Sequence, residues 1–273
     1  MMNSDPWQNI ALQEINTLFN NVDGVLAVLL VGSIVDDPIW VDQWSDIDLK
    51  IIIDPLILDK YYFETSWLNK LGNVFSVECN SSEHFHTLRI CLDDFRRFDI
   101  TFITTESLIK IENIPIYGNF KVLKNTIFDL DKIIKKIPSN GYKKMSGKEL
   151  DSFQNAFWHK AIIAITKVMR NDFLIAFHLT LDLARDCLIL KMNQRDEYAG
   201  TKIHRTWGYG NEFIKELSID VKGSSAKDIL KSIELYCKKF DNLSVEFYGT
   251  KSKIMIMKKF IKKAYDDKDN PTK

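Results

Sequence analysis

The chain has 273 residues, room for two domains or one large elaborated domain, and its 45% apolar content is that of a globular protein. Lys and Arg total 37, as do Asp and Glu; the formal charge of zero argues against a general nucleic-acid binder, which needs a basic face. The four cysteines (Cys79, Cys91, Cys187, Cys237) show no CxxC spacing and no run is long enough to span a bilayer, so free thiols in a reducing cytoplasm are expected, with no membrane or secretion signal. Asp5-Pro6 reads as an N-cap with Pro at the first helical position. Trp7, Ile10, Ala11, Ile15, Leu18 and Phe19 then follow helical spacing. Val25 to Val31 reads as a buried strand. Ile34 to Trp44 should hold a short helix and a loop, with Pro38 limiting the helix. Asp46 to Ile53 is a second strand, and Asp59 to Leu71 a helix closed by Gly72. Val74 to Cys79, His86 to Leu92 and Phe95 to Ile103 read as three strands, the last two joined by a tight turn at Asp93-Asp94. Phe120 to Leu123 adds a short one. This mixture predicts an α+β fold with a mixed sheet rather than a parallel doubly wound one.

Beyond Pro138-Ser139-Asn140-Gly141 the pattern turns helical. We therefore expect a sheet domain over residues 1–140 and a helical bundle over 141–273. Ser146 to Arg170 is one long helical stretch. Phe173 to about Met192 is a second, apolar nearly all round and expected at the centre of the bundle. Ser224 to Phe240 and Ser252 to Tyr265 read as two more amphipathic helices, and the charged tail Asp266 to Lys273 is expected to fray. A helical domain of this kind is expected to close a cleft where a second substrate binds.

The most informative pattern lies in the first half. The apolar run Leu29-Leu30-Val31 ends at Gly32-Ser33, and after a spacer of twelve residues a second apolar run opens with Asp46-Ile47-Asp48. Alternation along a strand puts Asp46 and Asp48 on one face. Two carboxylates that close repel unless a cation sits between them, and magnesium suits an all-oxygen set that also holds phosphates. Gly32 allows close backbone approach, and N–H groups opening a following helix bind anionic oxygens. Arg97-Phe98-Asp99-Ile100-Thr101 alternates in the same way, with Asp99 interrupting as a charge. Set beside the Asp46–Asp48 strand, Asp99 gives the ligand set of a two-metal phosphoryl-transfer site.

Gly-Ser, a dozen residues and an apolar-flanked Asp-x-Asp resemble the nucleotidyltransferase superfamily that includes DNA polymerase beta. Within it the chain resembles the aminoglycoside 6-adenylyltransferases, which modify streptomycin. That likeness includes Trp67-Leu68-Asn69-Lys70-Leu71-Gly72-Asn73, Phe98-Asp99-Ile100-Thr101, Lys121-Val122-Leu123, Glu149-Leu150-Asp151 and Asn155-Ala156-Phe157-Trp158. Two positions depart from the family. Ile34 stands where the family usually has Arg after Gly-Ser, and Lys124-Asn125 where it tends to carry Asp-Lys.

The resemblance implies a magnesium-dependent adenylyltransferase. Gly32 and Ser33 would bind the nucleotide, Asp46 and Asp48 the metal, and Asp99 would be a third metal ligand or the base for the attacking hydroxyl. ATP and a small, cationic acceptor such as streptomycin are the implied partners, with antibiotic resistance the implied role. An acidic cleft suits such an acceptor, which makes Asp151, Trp158 and Asp182 its candidate contacts. Each also has a plainer reading. Asp151 and Glu149 suit the start of a helix through its dipole, a helical Trp suits a core, and Asp182 and Asp186 suit Arg185 or a neighbouring Lys. Lys160 is either a phosphate ligand or a solvated helix residue. His204 to Gly210 and Trp207 form a loop-like cluster suited to a cleft. His84 and His86 lack a third ligand and read as strand residues. Two rivals stay open: the same chemistry on another hydroxyl, such as that of a lincosamide, a metabolite or a protein, and a non-catalytic regulatory or antitoxin-like nucleotide binder.

Overall fold

The apolar run at Val25–Val31 forms β1 in the interior of a six-stranded sheet, in a computed structural model that describes residues 7–36, 41–111, 114–137, 144–199, 210–217 and 225–269. The chain divides into two compact units, Met1–Ser139 and Asn140–Lys273.

In the first unit, α1 (Trp7–Asn20) leads into β1, a short α2 (Ser33–Asp36) and β2 (Ile47–Ile53). Then follow α3 (Pro55–Tyr62), β3 (Val74–Ser81), β4 (His86–Leu92), β5 (Arg97–Thr104) and α4 (Thr105–Lys110). The strands β6 (Ile114–Tyr117) and β7 (Lys121–Asn125), α5 (Leu130–Ile133) and β8 (Ile134–Ile137) complete it. The main sheet runs β3-β4-β5-β2-β1-β7, all neighbours antiparallel except β2 and β5, and β6 pairs with β8 in a separate parallel ribbon. The expected α+β fold with a mixed sheet is therefore present.

One face of the sheet is covered over β4, β5, β2 and β1. Leu30, Ile47, Leu49, Ile51, Phe98, Ile100 and Phe102 pack there with Ala11, Ile15 and Phe19 of α1 and with Tyr61, Trp67 and Leu68. The other face is covered at one end only, where Ala27, Leu29, Ile52 and Ile103 meet Ile114, Ile116, Leu130 and Ile134. That partial cover leaves polar residues at the opposite end of the same face.

The helix expected over Asp59 to Leu71 is two pieces. Asp54 caps α3 by accepting from the Leu56 amide at 2.8 Å, with Pro55 in its first turn, and a separate 3-10 turn occupies Thr65–Lys70. The positive φ of Gly72 (145°) falls after that turn rather than at the end of one long helix. The Asp5-Pro6 cap lies outside the described residues.

The second unit consists of α6 (Gly147–Met169), α7 (Phe173–Ala199), α8 (Glu212–Leu217), α9 (Ala226–Tyr248) and α10 (Ile254–Asp269). Ser146 and Glu149 form a reciprocal capping box at the start of α6. Phe157, Ala161, Val168, Leu183, Cys187, Ile233, Tyr236 and Phe240 form the core. The second helix is longer than expected and less enclosed: Leu174 is 79% exposed, because α7 turns one face to α6 and α9 and leaves the other to solvent. The charged tail is helical as far as Asp269 rather than frayed from Asp266.

Candidate active site

The loop before β2 is fastened from two elements. The Gln8 side-chain amide of α1 donates to the carbonyls of Asp42 (2.7 Å) and Ser45 (3.2 Å), and Arg97 of β5 donates to the Trp44 carbonyl (2.6 Å). The Asp42 carboxylate accepts from the Trp44 amide and the Ser45 hydroxyl. Asp46 therefore leaves a fixed turn directly into β2.

Alternation along β2 buries Ile47, Leu49 and Ile51 and leaves Asp46, Asp48 and Lys50 half-buried on the open end of the other face. On β5, Phe98, Ile100 and Phe102 are buried while Asp99 and Thr101 stay half-buried. Asp48 and Asp99 are direct partners in the parallel register. The charges of Asp46 and Asp99 also interact. Burial pushes the Asp99 carboxyl above the usual carboxylate range, Asp46 adds to that, and Arg89 and Arg97 oppose it. The three carboxylates singled out in the sequence thus share one end of one sheet face.

Gly32 lies beneath them. Its φ is +80°, and a Cβ placed on it would stand 2.1 Å from an Asp48 carboxylate oxygen. The Gly-Ser turn and Asp48 therefore fit together only because residue 32 lacks a side chain. Ser33 opens α2, and Ile34 packs against the apolar core. Lys124, at the other family departure, donates to the carbonyls of Phe19 (2.9 Å) and Val22 (3.1 Å) at the end of α1, which makes it a structural cation.

Four further polar residues on this face received no role in the sequence reading. Arg89 of β4 lies 3.5 Å from Asp99 and 3.3 Å from Glu78 of β3. Lys50 is held below the usual lysine range by burial, partly offset by Asp48, and lies 5.7 Å from the centre of the Phe85 ring. Thr87 and Thr101 share a hydrogen bond of 3.0 Å across β4 and β5. The signal for Lys50 was present, since it continues the Asp46, Asp48 alternation. Arg89 needed the strand register, which the sequence does not spell out.

A divalent cation suits this donor set by its chemistry, being three hard carboxylate oxygens' worth of charge beside a turn that admits close approach. Among the described residues, no three His, Cys, Asp or Glu side chains stand close enough to hold an ion as they are.

In the second unit, Asp151 is exposed on α6. Trp158 is 9% exposed and packs edge-on against Phe157 and Phe240, so its ring is committed to the helical core. Asp182 lies 3.8 Å from both Lys160 and Arg185, and the buried Asp186 accepts from Lys160 at 2.8 Å. Lys160 thus neutralises carboxylates on α7, with 20% of its side chain still exposed. His86 stacks edge-on against Tyr62 (5.2 Å). His204 and Trp207 lie outside the described residues.

A mixed sheet with carboxylates gathered at the uncovered end of one face suits metal-assisted phosphoryl-group chemistry. The chain belongs to the streptomycin adenylyltransferase family, whose model matches residues 8–247. No curated protein matches it. Among solved structures, an aminoglycoside 6-adenyltransferase from Bacillus subtilis is similar at 13% identity and a TM-score of 0.36, covering 94% of this chain and 97% of that one. A nucleotidyltransferase-like protein from Exiguobacterium sibiricum 255-15 is similar at 8% identity and a TM-score of 0.34, covering 88% of this chain and 78% of that one. Both scores are low, and the family match stands without them. Among the described residues no helix is long and apolar enough to cross a membrane.

Proposed function

We propose that this enzyme moves AMP from ATP to a hydroxyl of an aminoglycoside, with streptomycin the leading acceptor, using magnesium and releasing pyrophosphate. The observation that carries the reading is the register match of Asp48 with Asp99, with Asp48 packed over Gly32 at the Gly-Ser turn. Membership of the streptomycin adenylyltransferase family supports the nucleotide and the acceptor class.

In this reading Gly32 lets phosphate oxygens approach the backbone, and the Ser33 hydroxyl donates to one of them. Asp46 and Asp48 hold the metal, which when bound neutralises phosphate charge. Asp99 accepts the proton of the attacking hydroxyl. A carboxyl lifted above its usual range by burial is a better proton acceptor than an ordinary one. The acceptor oxygen bonds to the α-phosphorus, the bridging oxygen leaves with pyrophosphate, and the proton ends on Asp99. Little covalent chemistry falls to the protein, and the rate comes from positioning and electrostatics.

Asp151, exposed on α6, and Asp182, part-exposed on α7, are the contacts we propose for a cationic antibiotic. Trp158, the third candidate, packs its ring edge-on against Phe157 and Phe240 and keeps 9% exposure.

The test is incubation with ATP, magnesium and a panel of streptomycin, spectinomycin, kanamycin and lincomycin, reading pyrophosphate and product mass. An AMP adduct on streptomycin is expected. An adduct on lincomycin alone would move the acceptor to the lincosamides. No adduct, with nucleotide still bound, would point to another hydroxyl or to a non-catalytic role.

A further inference from the structure

The turn between β4 and β5 carries an aromatic side chain where backbone and solvent both oppose one. Phe95 has a φ of 70°, in the left-handed region that favours glycine or asparagine, and its side chain is 71% exposed. The Phe95 amide donates to the Leu92 carbonyl (3.1 Å) and the Leu92 amide to the Arg96 carbonyl (2.9 Å), which fixes that conformation. Backbone strain of this kind clusters where a ligand is held.

Phe95 is one wall of a hollow of about 370 Å³. Trp7 and Trp44 are two others, and Trp44 is 62% exposed. Both tryptophans are anchored. The Trp7 indole N–H donates to the Gln43 carbonyl (3.1 Å), its ring packs edge-on against Phe98 (5.8 Å), and the Trp44 carbonyl accepts from Arg97 (2.6 Å). The hollow lies beside α1, on the sheet face to which Phe98 belongs; alternation along β5 turns Asp99 to the other face. It is therefore separate from the carboxylate site.

Size and charge identify the occupant. The volume is at the small end of ligand pockets, which suits a small molecule rather than a helix of a protein partner. Aromatic ring faces are electron-rich and attract cations. Arg96, which also lines the hollow, is already engaged. It donates to Asp94 (2.8 Å) and to the Leu71 carbonyl (2.8 Å), and Glu14 of α1 stands 4.0 Å away. Across α1, the loop from Val41 to Ser45, the turn from Asp93 to Arg96 and the first residue of β5, the carboxylates of Glu14, Asp42, Asp93 and Asp94 outnumber the guanidinium groups of Arg96 and Arg97. The surplus around the rings is negative.

We propose that this hollow is a binding site for a small organic cation of the quaternary ammonium or guanidinium class, held by the rings of Trp7, Trp44 and Phe95. It goes beyond the nucleotidyl-transfer reading and does not depend on it. Aromatic side chains exposed only for want of cover would show no preference for a positive charge.

The probe is choline, titrated into the full-length protein at constant ionic strength, with binding read by calorimetry and ligand-observed NMR. The control is its uncharged isostere, in which carbon replaces nitrogen. Choline should bind saturably, and about fivefold or more tightly than the isostere. Trp44→Ala should weaken binding by about tenfold. Phe95→Gly should weaken it similarly while the melting temperature holds or rises, because glycine adopts this φ without strain. A purely structural Phe95 would give the reverse, a lower melting temperature with binding intact, and that result overturns the proposal. So does equal binding of choline and the isostere, or unchanged binding in both variants. A dimer seen by light scattering that Trp44→Ala dissociates and choline does not would give the hollow to a second copy of the chain, and would overturn it as well.

Discussion

The two units of this chain treat charge in opposite ways. In the helical unit, buried carboxylates are matched from within. Asp186 accepts from Lys160 at 2.8 Å, Asp196 from Arg195 at 2.8 Å, and Asp241 from Ser252 (2.6 Å) and the Lys253 amide (2.8 Å). In the sheet unit, Asp48 and Asp99 stand side by side as direct partners with Asp46 acting on the same patch, and Arg89, 3.5 Å from Asp99, and Lys50, which interacts with Asp48, are the cations set against them. The first arrangement stabilises a fold. The second works against one, since neighbouring like charges repel, and a fold keeps it only where something else gains. The number of acidic residues in a unit says little; whether their neighbours match or oppose them distinguishes structure from chemistry.

The sharpest way to break that contrast is Asp48→Asn. Turnover should fall by about a thousandfold or more, while the melting temperature holds or rises because a like charge has gone. Near wild-type turnover at saturating magnesium would remove Asp48 from the site. Asp99→Asn comes next, with an expected loss of about a hundredfold in turnover, the scale of a positioned base. Nucleotide affinity should change less than in Asp46→Asn, and calorimetric titration with ATP checks it; an equal loss would make Asp99 a metal ligand.

Asp186→Ala tests the other half of the contrast. It leaves Lys160 facing only the more distant Asp182, and should cost about 2–3 kcal/mol in urea unfolding, somewhat less than a fully buried broken pair because Lys160 keeps 20% exposure. A change below measurement error would mean the pair is idle.

The smallest effect concerns His86. Burial holds its imidazole below the usual range, and its buried Nδ1 has no hydrogen-bond partner among the described residues. The unfolded chain therefore binds the proton more readily, and stability should fall as pH drops through the ordinary histidine range, near 6.5. His86→Phe should flatten the melting temperature between about pH 7.5 and 5.5. An unchanged slope would place the sensitivity elsewhere.

Much of the sheet was legible because its strands are either apolar throughout or strictly alternating. Val25–Val31, Ile47–Ile53 and His86–Leu92 follow directly from such patterns. The Asp-x-Asp face followed from parity alone. The short strands Ile114–Tyr117 and Ile134–Ile137 were missed, since four residues carry no period and both depend on pairing with each other. The helix at Pro55 was misplaced although Asp54-Pro55 is a readable start signal; the apolar spacing further along outweighed it. Arg89 was missed for a different reason. Its neighbours along the chain are ordinary strand residues, and its meaning comes only from register with β3 and β5, which the turns between those strands set.

The position of β1 has a consequence for how the protein is made. Val25–Val31, seven apolar residues, is flanked by β2 and by β7, and its partner residues on β7 are Lys121 to Asn125. Lys124 then reaches back 105 positions to the Phe19 carbonyl. During synthesis one edge of this apolar strand finds its partner early, while the other stays open until residue 125 leaves the ribosome. Contacts so distant along the chain are slow to form, and an open apolar edge is a template for pairing with another chain. The interval before β7 emerges is therefore when a nascent chain of this protein most needs a chaperone.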